Sequence, residues 1–182
     1  MSEGYRVIFW GIFFITFHIN LGPLQILPAF VGYLIVSRGI DHLQREGNFP
    51  SFSKARLVSK VLTILGVVSF FLIWIPQPES IMMSFYSLLF SVLELFLVYY
   101  IMEGSIERML AYGDGKQVDS YRSEQRAYLV FMTIYIIGIC LAITFGEQTF
   151  TFLMILLGLF LRFWFMAMLG RLKRLAMDDG SV

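Results

Sequence analysis

Residues 81–101 form an apolar run that is long enough to cross a lipid bilayer and carries one charge, Glu94. A hydrocarbon core about 30 Å thick requires about 20 residues of helix. Long runs with few charges are typical of transmembrane helices, and other runs in this chain have a similar or slightly shorter length. The sequence therefore predicts six spans, at residues 5–19, 24–40, 59–75, 81–101, 127–145 and 150–169.

The composition agrees with lipid as the main environment. Hydrophobic residues make up 58% of the 182 residues and charged residues 15%, and the mean hydropathy is +0.74. Soluble domains usually hold about 25% charged residues. We therefore predict an all-α fold with a single transmembrane domain over residues 1–182 and the lipid bilayer as its main partner. The net charge of +1 gives no reason to expect nucleic acid as a partner.

Lysine and arginine alternate between the connections that join the predicted spans. They are concentrated in segments 41–58 and 103–126 and in the C-terminal tail, whereas connections 18–25, 76–80 and 146–149 contain none. Basic residues accumulate on the cytoplasmic side of membrane proteins. This distribution predicts that both termini lie in the cytoplasm.

The first two spans are shorter than the others, and their topology is open. Gly22 and Pro23 lie between them, and Pro28 falls near the start of the second. Proline is tolerated in the first turn of a helix, where its missing N–H is not needed, so we expect the second helix to begin near Leu27. Residues 18–25 would then form an irregular hairpin tip in the outer headgroups. A re-entrant pair of helices is the alternative.

Glu94 and Arg162 are opposite charges at a similar predicted depth. At 1.5 Å per residue, Glu94 lies about 20 Å and Arg162 about 18 Å from the outer ends of their helices. An ionised group near the centre of a span costs about 2.5–3.5 kcal/mol on insertion scales. We predict that the two side chains meet inside the bundle. The pair either lines a water-filled cavity or forms a structural clasp; in a third arrangement Arg162 extends toward the inner surface.

Small and polar residues on the same two helices favour this pairing. Residues that are three or four positions apart share a helical face, which on the fourth helix contains Ser84, Ser87, Ser91 and Glu94. Gly158 lies one turn before Arg162, and small residues allow membrane helices to approach closely. The three serines are therefore predicted to form a polar stripe that faces Arg162.

A second polar cluster is predicted at the outer end of the first helix, formed by His18, Asn20 and Gln25. These side chains either form a shallow pocket or satisfy the backbone at a helix end. No metal site is expected, because no second histidine or cysteine lies near His18 at ligand spacing. The sequence contains no H-E-x-x-H, G-x-S-x-G or Walker A motif. We therefore expect a protein that is not an enzyme and that has no cofactor.

The stretch ILPAFVGYLIVSRGIDHL at residues 26–43 resembles the first hairpin of an uncharacterised family of small, multi-spanning membrane proteins from Gram-positive, Bacillus-like bacteria. In that family the stretch often reads ILP-x-F-x-G-Y, and an acid often stands at the position of Ala29. The match rests on Leu27, Pro28, Phe30, Gly32, Tyr33, Gly39 and Leu43. The resemblance implies a multi-pass protein of a bacterial plasma membrane, and it brings no activity with it.

Two classes of function remain open. The first is a non-enzymatic membrane protein that binds or transports a small polar solute or ion at Glu94 and Arg162. The alternative is a membrane interaction or regulatory subunit, or a chaperone, that contacts a membrane or cytosolic protein partner through its helix faces and cytoplasmic loops. An enlarged polar cavity at Glu94 favours the first class. A closed bundle with a stripe of small residues facing lipid favours the second.

Overall fold

The computed structural model describes residues 3–17, 20–21, 24–25, 28–72, 81–112, 115–146 and 148–178. In these ranges the chain forms six helices and one short strand pair, and the predicted all-α class is confirmed. The elements are α1 (Glu3–Thr16), β1 (Asn20–Leu21), β2 (Leu24–Gln25), α2 (Ala29–Glu46), α3 (Pro50–Leu72), α4 (Ile81–Tyr112), α5 (Gly115–Phe145) and α6 (Gln148–Asp178).

Three helices in the described ranges are long and apolar enough to cross a membrane by length and composition. These candidate spans are Phe85–Tyr112 in α4, Gln117–Phe145 in α5 and Gln148–Arg174 in α6. The prediction of transmembrane helices is confirmed to this extent, and the count of six spans is not. Of the remaining helices, α1 contains only 14 residues, and the 18 residues of α2 include charges in its second half.

The helices pack in a closed ring that follows the order of the chain. Each helix contacts the next one, and α1 closes the ring against α6. Large apolar side chains are buried inside the ring, among them Ile8, Leu43, Leu97 and Phe165. Every helix also exposes large apolar side chains on its outer face, for example Trp10, Leu34, Ile64, Phe85, Ile134 and Ile155. Water-soluble monomers rarely expose so much contiguous apolar surface, whereas a lipid-facing surface requires it.

The segments that we expected to be polar connections are mostly helical. α2 continues to Glu46 and α3 begins at Pro50, while α4 continues to Tyr112 and α5 begins at Gly115. Hydrogen bonds and ion pairs hold these extensions together in a polar collar, consisting of Arg108 with Glu46 at 2.8 Å, Arg56 with Asp41 at 2.7 Å, Ser51 with Glu107 at 2.7 Å and Gln125 with Glu103 at 3.1 Å. Residues 113–114, between α4 and α5, lie outside the described ranges.

Glycines spaced seven residues apart join α1 to α2 at nearly backbone contact. A Cβ atom on Gly32 would lie 2.9 Å from the carbonyl oxygen of Gly11, and a Cβ on Gly39 would lie 2.9 Å from that of Gly4. A spacing of seven residues returns to almost the same helical face after two turns. We call these four residues the glycine seam. Small residues of this kind are typical of close helix contacts in membranes.

The first hairpin differs from its predicted form. Residues 20–21 and 24–25 are paired antiparallel strands, with Asn20 opposite Gln25, so the tip is not irregular over these residues. The predicted span 24–40 does not begin as a helix at residue 24, because α2 begins at Ala29 after the extended Pro28. Pro28 supplies no N–H and has its φ fixed near −62°, which suits the position just before a first helical turn. The expected start at Leu27 lies outside the described residues.

α1 ends, and α2 begins, within about one turn of the level of Glu94 and Arg162. Arg162 contacts the carbonyl of Ile15, in the last turn of α1, and Glu94 contacts Tyr33, one turn into α2. From this level the N-terminal parts of α4 and α6 continue for about 20 Å at 1.5 Å per residue. The strand pair β1–β2 follows the C-terminal end of α1, so it lies on the same side of the Glu94–Arg162 level as the N-terminal ends of α4 and α6.

Candidate functional site

Glu94 and Arg162 form an ion pair at the centre of the helix ring. Nη2 of Arg162 lies 3.0 Å from each carboxylate oxygen of Glu94. The Tyr33 hydroxyl donates a hydrogen bond to Oε1 of the same carboxylate at 2.5 Å. Nη1 of Arg162 donates to the backbone carbonyl of Ile15 at 3.1 Å. The network thus joins α1, α2, α4 and α6, and we call these four residues the central network.

The positions of these groups within their helices favour the charges that they hold. The Ile15 carbonyl belongs to the last turn of α1, where the helix dipole favours a cation such as the Arg162 guanidinium. Tyr33 lies in the second turn of α2, and its backbone carbonyl also accepts a hydrogen bond from the Ser59 hydroxyl at 2.9 Å. Ser59 therefore attaches α3 to the same level. Charge-assisted hydrogen bonds are stronger than neutral ones, so this layer ties five helices together.

A small cavity adjoins the ion pair. Its volume is about 30 Å³, and it is lined by side chains from five helices that include Ile12, Tyr33, Glu94, Tyr128, Tyr135 and Arg162. One water requires about 10–15 Å³ of such volume, so the cavity has room for one or two waters. The side chain of Arg162 remains 32% accessible and that of Glu94 17%. The pair is therefore not sealed inside the protein.

The serine stripe does not line this cavity. Ser91 is buried, but its hydroxyl donates to the backbone carbonyl of Ser87 on its own helix at 3.0 Å. Ser87 is exposed, and the side chain of Ser84 lies outside the described part of the chain. The hydroxyl that binds Glu94 comes from Tyr33 on α2, whereas the Ser91 hydroxyl on α4 bonds back to its own helix.

Gly158 contributes to the site in a way that the sequence did not indicate. It lines the cavity, but a Cβ at this position would lie 2.7 Å from the ring of Tyr135 on α5. The glycine therefore makes room for an aromatic ring from α5 and does not mediate a close approach of α6 to α4. Tyr135 thereby reaches the cavity beside Arg162.

The outer polar cluster is only partly described. Asn20 and Gln25 face each other in the strand pair, which brings their backbones together. Their side chains and the whole of His18 lie outside the described residues. Within the described ranges no group of three or more histidine, cysteine, aspartate or glutamate side chains is placed to hold a metal ion.

The tyrosines of the site were missed in the sequence. Tyr33 was named only as part of the resemblance of residues 26–43, with no role at the ion pair, and Tyr128 and Tyr135 were not distinguished from other aromatic residues. The available signal was the hydroxyl, because a buried tyrosine usually finds a polar partner. The glycine seam also has a signal in the sequence, the repeated spacing of seven between Gly4 and Gly11 and between Gly32 and Gly39.

One further sequence pattern has a structural explanation. Ser51 and Lys54 have the S-x-x-K spacing of some serine acyl-transfer enzymes. The Ser51 hydroxyl, however, donates to Glu107 at 2.7 Å, and Glu107 also accepts the Ser51 backbone N–H at 3.3 Å, in the first turn of α3. Lys54 lies over the ring of Tyr100, 5.7 Å from its centroid. Both side chains thus contact residues of α4, and the Glu107 carboxylate accepts hydrogen bonds from the first turn of α3.

No family model, curated protein or solved structure matches this chain. The resemblance of residues 26–43 to the bacterial family named above therefore stays a prediction. Any proposal about function must be argued from the geometry of the central network and its surroundings.

Proposed function

We propose that this protein is a multi-pass membrane protein. Its central network binds a small anion together with a proton and moves both across the bilayer. One observation carries the proposal: a carboxylate and a guanidinium pair at 3.0 Å in the middle of an apolar helix ring, remain partly accessible, and adjoin a cavity. Ionisable groups within membrane helices are rare and usually mark ion or proton pathways.

The cavity is not the enlarged one that a polar solute would require, and its size favours a small ion over an organic solute. Pockets for small organic molecules usually measure about 300–1,000 Å³, whereas this cavity measures about 30 Å³. Its capacity of one or two waters matches a proton, a hydronium or a small inorganic ion. A larger solute would require the helices to separate.

The donors around the cavity favour an anion. Guanidinium groups only donate hydrogen bonds, and tyrosine hydroxyls donate as well as accept. Arg162, Tyr128 and Tyr135 all line the cavity, and Glu94 is its acid. A proton that adds to a Glu94 oxygen makes that side chain neutral and weakens its hold on Arg162. The guanidinium is then free to bind an anion, so that the site takes up one proton and one anion without a change in net charge.

The first hairpin supports access from the outer side. α1 ends, and α2 begins, close to the level of the central network, and a strand hairpin takes the place of helix beyond it. Non-helical backbone at membrane depth is tolerated only where protein buries it or where it lines a water-filled cavity. Helices that end near the midplane also form ion sites in many transporters.

For the membrane placement, we propose the topology that the basic residues predict. Both termini then lie in the cytoplasm and the chain crosses the membrane six times. The first hairpin, which contains the strand pair β1–β2, supplies two of these crossings. The apolar outer faces of all six helices support this placement. The polar collar would lie at the cytoplasmic surface, where its charges meet water. A bacterial plasma membrane is the proposed location.

Cysteine labelling tests this topology. In a Cys140→Ser background, we expect a membrane-impermeant maleimide to label Gln148→Cys on intact cells and to label Ser120→Cys only after the membrane is opened. Both positions are exposed on their helices. Labelling of Asn20→Cys from outside is expected for a full crossing of the first hairpin. Its protection would show a re-entrant hairpin, and the reverse labelling of residues 148 and 120 would invert the topology.

Vesicle assays test the ion site. Purified protein in liposomes that contain a pH-sensitive dye should acidify the interior when a chloride or nitrate gradient is directed inward. We expect Glu94→Gln to reduce this rate at least tenfold, because an amide cannot take up the proton. Asp119→Asn, at an exposed position on α5, serves as the matched control and should keep the rate. If vesicles with the unaltered protein acidify no faster than empty vesicles, the site does not transport ions and the ion pair is a structural clasp.

A further inference from the structure

A groove runs along the lipid-facing side of the contact between α1 and α6. It consists of two adjoining hollows of about 530 and about 500 Å³ that share Phe9, Gly170 and Arg174. Five of its thirteen lining residues are aromatic, including Trp10 and Phe13 from α1 and Phe163 from α6. Each hollow is in the range of about 300–1,000 Å³ that organic ligands occupy.

The inner end of this groove is basic. Four cations line it: Arg6, Arg171, Lys173 and Arg174. Arg6 and Arg171 each form an ion pair with a glutamate, at 3.2 and 2.6 Å. Among the side chains that the structure describes, Lys173 and Arg174 form no ion pair, and both line the groove beside its apolar walls. This combination matches a ligand with an anionic head and a long apolar tail.

We propose that the groove binds one anionic phospholipid of the inner leaflet. Its acyl chains lie against the aromatic walls, and its phosphate lies against Lys173 and Arg174. Basic pockets between membrane helices on the cytoplasmic side bind anionic lipid headgroups in other proteins. The proposal rests on the membrane placement given above, and it does not depend on ion transport at Glu94.

The positive charge of the groove favours a lipid over a second copy of the chain as its occupant. A two-fold contact buries the same patch of both subunits. Such a dimer through this groove would bring Lys173 and Arg174 of one subunit close to the same two cations of the other, and juxtaposed like charges oppose association. An anionic lipid neutralises these charges instead.

Quenching of Trp10 by brominated lipids tests the proposal. The full chain with Trp74→Phe and Trp164→Phe retains Trp10 as its one tryptophan. It is placed in phosphatidylcholine vesicles that contain a minority of phosphatidylglycerol, with bromine on the acyl chains of one lipid or the other. We expect brominated phosphatidylglycerol to quench more strongly for its mole fraction, because each cation should raise the local preference on the order of fivefold.

Two variants separate the groove from the general surface. Lys173→Gln with Arg174→Gln should abolish the preference for phosphatidylglycerol. Arg38→Gln with Lys60→Gln removes the same charge from exposed positions on α2 and α3 and should leave the preference intact. Gly170→Leu should reduce quenching by both lipids, because a Cβ at Gly170 meets nothing within 4 Å and the larger side chain fills the groove.

Three outcomes would overturn the proposal. Equal quenching by the two lipids in the unaltered groove would remove the headgroup preference. If the Lys173→Gln/Arg174→Gln variant and the Arg38→Gln/Lys60→Gln variant lose the preference for phosphatidylglycerol to the same extent, that preference arises from the general surface charge. An absence of quenching by either lipid would show that protein, such as a second copy, covers Trp10. Normal quenching with no ion flux would reject the proposed ion site and leave the lipid site in place.

Discussion

Replacing Arg162 with leucine is expected to destabilise the folded protein by about 3 kcal/mol. Removal of one partner from a buried ion pair usually costs about 3–5 kcal/mol, because the other charge is left without compensation. We expect the lower end of that range, because the Arg162 side chain remains 32% accessible. The substitution also removes the hydrogen bond to the Ile15 carbonyl in the last turn of α1. Unfolding in a mixture of mild detergent and dodecyl sulfate, followed by circular dichroism, measures the loss.

The double variant tests whether the loss comes from the ion pair. Glu94→Gln with Arg162→Leu should be clearly more stable than Arg162→Leu alone, since no unpaired carboxylate remains. Arg122→Leu, at an exposed position on α5, is the matched control for an arginine-to-leucine change. If the losses of the two single variants add in the double variant, Glu94 and Arg162 do not stabilise each other and the clasp is absent.

The common level of Glu94 and Arg162 could be predicted from the sequence because depth follows from counting residues along each helix. The two residues lie on helices that run in the same direction, and both are about 20 Å from an end marked by a short polar turn. The choice of side-chain partners depends instead on how each helix is rotated. Two helices with apolar side chains on every face give little indication of that rotation, so the sequence did not show that the Ser91 hydroxyl donates to its own helix.

Tyr33 and the Ile15 carbonyl could not be placed from hydropathy alone. Both belong to the first hairpin, where a run of apolar letters covers helix, strand and turn alike. Gly22, Pro23 and Pro28 indicated a break but not its depth. The break lies close to the level of the ion pair, and it brings the last turn of α1 and the second turn of α2 to the site.

The polar segments were read as loops because charged residues interrupt the apolar runs there. Their charges do not oppose helix formation where one side of the helix is buried and the charged side is exposed, as in the first half of α5. Tyr121 and Gln125 are one turn apart on α5 and both are buried, while Arg122 between them is exposed. This periodicity of three to four residues is typical of an amphipathic helix, and it was present in the sequence.

The second large effect is expected at the glycine seam. Gly32→Leu should destabilise the protein by about 3 kcal/mol, the upper end for overpacking of a tight contact. A Cβ there lies 2.9 Å from the carbonyl oxygen of Gly11 and 3.0 Å from the backbone nitrogen of Ile15. Backbone atoms cannot turn aside as a flexible side chain does, so α1 and α2 must separate. The same unfolding assay in detergent measures this change.

Gly170→Leu is the matched control, since a Cβ at Gly170 meets nothing within 4 Å. Leucine favours a helix over glycine by nearly 1 kcal/mol, so Gly170→Leu should leave stability unchanged or slightly raise it. Equal stability of Gly32→Leu and Gly170→Leu would contradict a close backbone contact at the glycine seam.

Separation of α1 from α2 has a consequence for the site as well as for stability. Gly32 is adjacent to Tyr33, and Gly11 lies one turn before Ile15, so the seam sets the distance between two members of the central network. Any Gly32→Leu protein that still folds should therefore lose ion flux to a greater extent than Gly170→Leu. A flux that survives in folded Gly32→Leu would show that the ion site does not need α1 in this position.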